Sequence, residues 1–391
     1  MSEQPTCQAA DFFVLRSPGL PLDALGPCAP HPAAAGAPGP SGARLEGDRE
    51  ALRRTLRDLV CRDEVREALA LASPDLASRL GAWLVGALEG DAARGVERAL
   101  LKYLSRMSHR ATPFGLFAGV TRGAWAAASR LSVAPWPACR KTVRLDWGVL
   151  EALADRLGRD PLVRPGIAHR PNTSLHAWGG WYRYLERREE AGRGRTYHLE
   201  AVEATPHLDF VLEEARSGIP LEELAARLAR RLPVEAAEAG AYLDRVIDAQ
   251  VLCGDLQPPL TSPDPLGHVA ARLRAHPAAA PGAGPLAALA ADLEALAEAP
   301  LGSHPGGYPA RMASLAALEV PPGTRDVLQV DLHRPALDLS LGLRVRRALE
   351  EGAELLRRLT PPPEEGPLDR FRAAFTGRYE ARWMPLLQVL D

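Results

Sequence analysis

Residues 103–120 read YLSRMSHRATPFGLFAGV, and the fold is best read outward from them. Arg106 and Arg110 stand four residues apart, a spacing that sets one above the other on a helix. Thr112 precedes Pro113, and proline drives the residue before it out of the helical region. Gly115 and Gly119 bracket an apolar Phe114-Gly-Leu-Phe117, where backbone turns tightly or passes close to a ligand. The stretch predicts a helix end carrying two guanidinium groups, a turn presenting a hydroxyl, and a buried strand. Two fixed positive forks beside a hydroxyl suit an anionic ligand such as a phosphate or a carboxylate. A capped helix running into a core strand, with no chemistry attached, fits the same letters.

The composition around this stretch narrows the classes. A chain of 391 residues, 46% hydrophobic and 25% charged, is an ordinary globular protein with room for two or three domains. The net charge of −2 gives no global attraction to nucleic acid, so RNA contact would need a local basic patch. Five scattered cysteines without C-x-x-C spacing argue against a disulfide framework or a zinc site and fit a reducing cytoplasm. The histidines at 169, 176, 198, 207, 304 and 333 show no ligand spacing, so no metal is expected. Glu3 and Asp11 stand where a signal peptide would be basic, and no run of eighteen apolar residues predicts a membrane span.

Upstream of the central stretch, Asp11 to Leu22 opens with a short apolar strand that prolines stop after Arg16. Arg16 is either a surface cap or an inward-facing anion contact. Residues 26–43, rich in Pro, Gly and Ala, predict a loop, and Leu45 to Tyr103 predicts two or three helices. Ser73-Pro74 marks one helix start. Downstream, Trp125 to Ser132 reads as an exposed strand and turn, Lys141 to Leu145 as another strand, and Asp146 as the N-cap of a helix DWGVLEALADRL.

Residues 166–262 read as a distinct module. Two strands, Trp181 to Glu186 and Thr196 to Ala204, flank a charged loop over Glu189 to Arg195. Helices follow at Leu208 to Ala215, Leu221 to Leu232 and Ala236 to Gln250, with Pro220 and Pro233 at starts, then a closing strand in Val251 to Gln257. This is a winged-helix-like composition. Its helix at Leu221 to Leu232 carries three arginines against two glutamates, a solvated face rather than one that reads DNA. Beyond it, Leu266 to Ala275 and Leu286 to Ala299 are helical runs in an alanine-rich linker. Val327 to Leu332 is a strand ending near Asp331, followed by His333-Arg334-Pro335, and a helix spans Leu341 to Leu359. Asp331 either orients a reacting hydroxyl or forms a buried salt bridge to Arg334.

The central stretch resembles the R-M-S-x-R-x-T-P-F-G-L-F-A-G-V signature of lantibiotic dehydratases. Arg16-Ser-Pro-Gly-Leu-Pro is similar to that family's opening V-x-R-x-P-L-L-P, the strand ending Arg144-Leu-Asp146 to its R-L-D, and Val330-Asp-Leu-His-Arg-Pro to its V-D-x-x-R-P. The resemblance implies an α+β fold, mixed helices and antiparallel sheet with the winged-helix-like module embedded. The segments are then 1–165, the first part of a glutamylation domain; 166–262, a leader-peptide-binding module; and 263–391, a continuation of the glutamylation domain. It implies tRNA-dependent glutamylation of Ser or Thr in a ribosomally made precursor peptide, with glutamyl-tRNA as co-substrate and no further cofactor. Arg16, Arg106, Arg110, Thr112, Asp146 and Asp331 are the implied site. Arginines would grip phosphate or the glutamyl carboxylate, Thr112 would supply a short hydrogen bond, and the aspartates would position the arginines or the hydroxyl.

The module implies recognition of the precursor's leader as an added strand. Trp181, Tyr182 and Tyr184 would line pockets for its side chains, or simply form core. The final Arg382-Trp-Met-Pro-Leu-Leu-Gln-Val-Leu-Asp391 matches a stretch that, in the family, has much sequence still to follow. That implies an incomplete glutamylation domain, with a separate chain carrying the remainder and a homodimer both left open. A non-catalytic leader-binding adaptor is the alternative function, and a DNA regulator a third.

Overall fold

The computed structural model describes residues 7–28, 42–190, 194–232, 235–275, 277, 279–308, 327–360 and 366–390. Most of the loop predicted at 26–43, Pro233 and part of the 189–195 loop lie outside them. In chain order the elements open with β1 (Phe12–Pro18), α1 (Gly42–Val60), α2 (Asp63–Ala72), α3 (Pro74–Leu84) and α4 (Gly90–His109). Next come β2 (Ala118–Ala126), β3 (Arg130–Val133), β4 (Arg140–Leu145) and α5 (Trp147–Arg159). A strand-rich stretch follows: β5 (Ala168–Pro171), β6 (His176–Trp178), β7 (Trp181–Glu190) and β8 (Gly194–Glu203). Then come α6 (Pro206–Ala215), β9 (Ile219–Pro220), α7 (Leu221–Arg231), α8 (Ala236–Asp248) and β10 (Leu252–Gly254). The chain continues through α9 (Pro265–Arg274), α10 (Ala283–Glu298), β11 (Leu328–His333) and β12 (Ala336–Gly342). It closes with α11 (Leu343–Leu359), α12 (Pro367–Tyr379) and α13 (Leu386–Leu390). The fold class is α+β. Two compact units divide it, one built on residues 1–146, 291–319 and 323–361, the other on 147–290, 320–322 and 362–391.

The first unit is a six-stranded sheet in the order β3-β12-β2-β11-β4, with β1 also on β2. Most pairings are antiparallel, but β11 and β12 run parallel to β2. Alternation along the strands separates the two faces. Lys141, Val143 and Leu145 of β4 and Val330 and Leu332 of β11 are buried, while Arg140, Thr142 and His333 are exposed. The helices that supply the buried side start where the sequence says. Ser73 accepts a hydrogen bond from the Leu76 N–H at the N-cap of α3, and Pro74 occupies the first turn.

One buried charge cluster fastens the sheet to helix α2. Lys141 Nζ lies 2.8 Å from Glu67 Oε1, both side chains fully buried. Glu67 also accepts from the Tyr308 hydroxyl at 2.8 Å and from the Gly302 N–H. Every charge here has a partner, the condition for tolerating burial. Burial beside the Glu67 carboxylate pushes the Tyr308 phenol up from its ordinary value.

The second unit holds two three-stranded sheets, β10-β5-β9 and β6-β7-β8. The β7–β8 hairpin keeps strict antiparallel register from Trp181↔Glu203 to Glu190↔Gly194. Its core is the aliphatic stripe of α6 to α8, with Leu208, Val211, Leu224, Leu228 and Leu243 at 0–3% exposure and Tyr184 among them. Arg187 donates to Glu151 Oε1 at 2.6 Å and pairs with Asp155, joining β7 to α5.

Candidate active site

The helix α4 buries Val96, Leu100, Leu104 and Met107 on one stripe. That stripe turns Arg98, Lys102, Arg106 and Arg110, each four residues after the last, to the other side. With Tyr103 and His109 they line an open trough of about 960 Å³ whose wall contains no carboxylate. Among the described residues none of these four cations forms an ion pair, in contrast to Arg53, Arg187 and Arg227. The Arg106 guanidinium instead stacks 4.1 Å from the Phe114 ring centroid, and its buried Nε has no hydrogen-bond partner.

Arg110 is the C-cap of α4, in extended backbone, with its N–H on the Arg106 carbonyl. The turn after it leaves Thr112 exposed. Gly115, at φ +52°, makes the reversal that a side chain would strain. Gly119 meets close packing of another kind: a Cβ there would lie 3.0 Å from the Cβ of Arg334. The neighbour at Gly119 is therefore this chain's own arginine.

Strand pairing places the other candidates along the sheet. Pro18 of β1 pairs with Ala118 at the start of β2, the Gly19 N–H bonds the Phe117 carbonyl, and the Leu20 N–H bonds the Met107 carbonyl. The exit of β1 thus rests on the end of α4. Strand β11, parallel to β2, brings its last residues Leu332 and His333 against Gly119 and Val120, while its other end lies by the exit of antiparallel β4, with the Asp146 N–H on the Val327 carbonyl at 2.9 Å. Arg16, Asp331 and the end of α4 are thus tied to the first residues of β2, while Asp146 stands further along, beside Val327 at the opposite end of β11.

Face parity sorts them further. Arg16 and His333 both pair with Val120 and share its exposed face, and Asp331, two residues before His333, points the same way. Asp331 forms its ion pair with Arg144 at 2.7 Å, both partly exposed. The alternative of a buried salt bridge to Arg334 is not what forms. Arg334 lies past the strand end and donates to Ser17 Oγ and the Pro18 carbonyl at 3.1 Å and to the Ala134 carbonyl at 2.6 Å. It fixes the backbone next to Arg16. Asp146 stands immediately before α5 and is half-buried.

In the second unit the three aromatic candidates part company. Tyr184 is 4% exposed and belongs to the core. Tyr182 donates its hydroxyl to Asp209 Oδ1 at 2.7 Å, and that bond, with burial, pushes the phenol up to about 12. Trp181, on the opposite face of β7, is 46% exposed and pairs across to the exposed Trp178.

The two outer edges of that sheet also differ. Past the end of β6, the β7 backbone is occupied by side chains. Ser174 Oγ accepts the Leu185 N–H, Asn172 Nδ2 donates to the Leu185 carbonyl, and Gln250 takes both the N–H and the carbonyl of Arg187. Strand β8 has β7 as its one strand partner among the described residues, which leaves its far edge without a strand.

Sequence reasoning missed Arg98, Lys102 and Arg144. The first two were visible as cations at 98, 102, 106 and 110, a strict four-residue spacing; the third depends on a strand pairing 187 residues apart in sequence (144 to 331) and has no local signal.

The fold is shared with solved structures. The tRNA-dependent lantibiotic dehydratase MibB from Microbispora sp. 107891 matches with a TM-score of 0.74 and 27% identity, over 99% of this chain and 35% of that one. The glutamylation domain of TbtB, from thiomuracin biosynthesis, shares the fold at a TM-score of 0.65 and 22% identity, over 89% of this chain and 42% of that one. The epidermin biosynthesis protein EpiB of Staphylococcus epidermidis is 25% identical over 177 residues, 45% of this chain and 18% of that protein. The family model "Lantibiotic dehydratase, N terminus" matches residues 61–391, and the chain belongs to that family. It spans about a third of the length of MibB.

Proposed function

We propose that this chain transfers glutamate from glutamyl-tRNA to Ser or Thr hydroxyls of a ribosomally made precursor peptide, the first half of dehydration. The observation that carries the reading is that Arg16 and Asp331 share one sheet face by the start of β2, where the end of α4 with Arg106, Arg110 and Thr112 also packs, beside an unpaired cationic trough. In the transfer, the acyl carbon exchanges its ribose oxygen for the peptide hydroxyl oxygen. The peptide hydroxyl gives up a proton and the ribose hydroxyl regains one. Such a step needs a proton path and donors aimed at the developing oxyanion. Arg106 and Arg110 hold the anionic donor, the Thr112 hydroxyl donates to it, and Asp331, oriented by Arg144, and Asp146 position the incoming hydroxyl. No metal enters the scheme, and glutamyl-tRNA is the sole co-substrate besides the peptide.

The leader of the precursor adds as a strand to the far edge of β8, since side chains of Asn172, Ser174 and Gln250 already occupy the β7 edge. Trp181 lines the neighbouring face. The reaction belongs in the cytoplasm, where aminoacyl-tRNA is found, and among the described residues no helix is long and apolar enough to cross a membrane. Further polypeptide, in a separate chain or a second copy, covers α11, where Val345, Leu349, Leu355, Leu356 and Leu359 are all exposed.

Incubating the chain with glutamyl-tRNA and its precursor peptide tests the reading: glutamate esterified to the peptide supports transfer. Leader binding without any ester would favour the second reading, a recognition adaptor.

A further inference from the structure

Resting on the transfer reading above, we infer that the donor RNA is held well away from the reacting ester, by Arg98 and Lys102 on the middle turns of α4. These two groups form a track for the phosphates of the strand leading to the aminoacylated end. The four cations at 98, 102, 106 and 110 extend over about 18 Å of helix, at 1.5 Å per residue. They step by about one helical turn, close to the separation of successive phosphates on an extended strand. The trough they line is open, long and free of carboxylates. A compact anion such as a glutamyl carboxylate needs only the Arg106–Arg110 end.

A purely structural account covers less. Cations near a helix C-terminus offset its dipole, but that effect falls off within the last turn, which accounts for His109 and Arg110 and leaves Arg98 unexplained. Neither Arg98 nor Lys102 forms an ion pair among the described residues, and Asp91, the carboxylate that feels the charge of Arg98, is already bonded to Arg94. Elsewhere on the same helix, Arg94 is 2.5 Å from Asp91. Four like charges on successive turns repel one another. A polyanionic strand relieves that repulsion, and a single carboxylate does not.

The test is salt-dependent binding of transcribed glutamate tRNA to the full chain and to Arg98→Gln/Lys102→Gln. Two lost phosphate contacts weaken binding on the order of tenfold near physiological salt, and make the slope of log K against log salt shallower by about 1.4 for a single strand. Arg98→Lys retains charge and should retain the slope, which separates phosphate contact from a packing role. Unchanged affinity and slope in the double variant, with the wild type binding tRNA, would overturn this inference and leave the transfer reading standing. Absence of tRNA binding by the wild type would instead remove the transfer reading itself. Loss of polyglutamate binding in the double variant with an unmoved tRNA slope would assign the trough to an acidic peptide, and the inference would again fail.

Discussion

The arginines of α4 and the basic groups that brace the two units have the same chemistry and opposite uses. Lys141 and Arg187 each sit against carboxylates, Lys141 on buried Glu67 and Arg187 on Glu151 and Asp155. Arg98, Lys102, Arg106 and Arg110 face an open trough with no acid on its wall. A paired, buried charge has its desolvation offset by its partner, and removing the partner leaves a stranded ion. An unpaired exposed charge owes the fold nothing, and next to others of its sign it is mildly unfavourable. Stability measurements should therefore separate the two groups sharply.

The largest stability effect belongs to the buried pair. Lys141→Met leaves Glu67 ionised or forces it to take up a proton inside the protein, and should cost about 3–5 kcal/mol, read as a lower urea midpoint. The double variant Glu67→Gln/Lys141→Met should recover part of that loss, because no lone charge remains. If Lys141→Met unfolds no more easily than wild type, the contrast between braced and free cations collapses.

Histidine 169 sharpens the comparison as a basic group kept neutral. It is 2% exposed, and burial lowers its pKa to about 4 from 6.5, despite the hydrogen bond to the Ile167 carbonyl that favours the charged form. Between those two pH values the unfolded chain binds a proton that the folded chain refuses. Stability therefore falls as pH drops from 6.5 towards 4, by about 3 kcal/mol in all at about 1.4 kcal/mol per pH unit. The loss is absent above pH 7. His169→Gln should flatten the histidine part of this slope, and a titration of stability that is equally steep in the variant would assign the acid sensitivity elsewhere.

A smaller effect is expected at the protected β7 edge. Gln250, itself at φ +56°, imitates a neighbouring strand by bonding both polar groups of Arg187. Gln250→Ala removes two hydrogen bonds at a partly buried site, worth about 1–3 kcal/mol. It should also expose an edge next to Arg187, detected as faster hydrogen exchange at the Arg187 amide with β8 amides unchanged.

These contrasts were unevenly legible in the sequence. Ser73-Pro74 and the apolar stripe of α4 announced themselves locally, because caps and helical periodicity need no distant partner. Strand β12, ALDLSLG, gave no such signal: it is a strand because it pairs with β2 and β3, more than 200 residues back in sequence, and strand preference is set by such neighbours. The same limit applied to the site. Each of Arg16, Arg106, Asp146 and Asp331 stood out through its own motif, but that Arg16 and Asp331 share one face beside the start of β2 follows from β11 running parallel to β2, which no local pattern encodes. Asp331 shows the cost of that ignorance: proximity in sequence suggested Arg334, and the sheet supplied Arg144.

The smallest change in stability should come with the largest change in chemistry. Arg110→Gln removes an exposed cation at the end of α4, where favourable helix-dipole interaction and repulsion from Arg106 oppose each other, so the unfolding free energy should move by no more than about 0.5 kcal/mol. If Arg110 holds the anionic donor at the transition state, glutamyl transfer should nevertheless fall on the order of a hundredfold or more, the scale of losing one preorganised donor. Single-turnover transfer with saturating glutamyl-tRNA, alongside a urea melt of the same preparation, measures both numbers. A variant that melts like wild type and transfers like wild type would show that the free cations of α4 are as idle in chemistry as they are in folding.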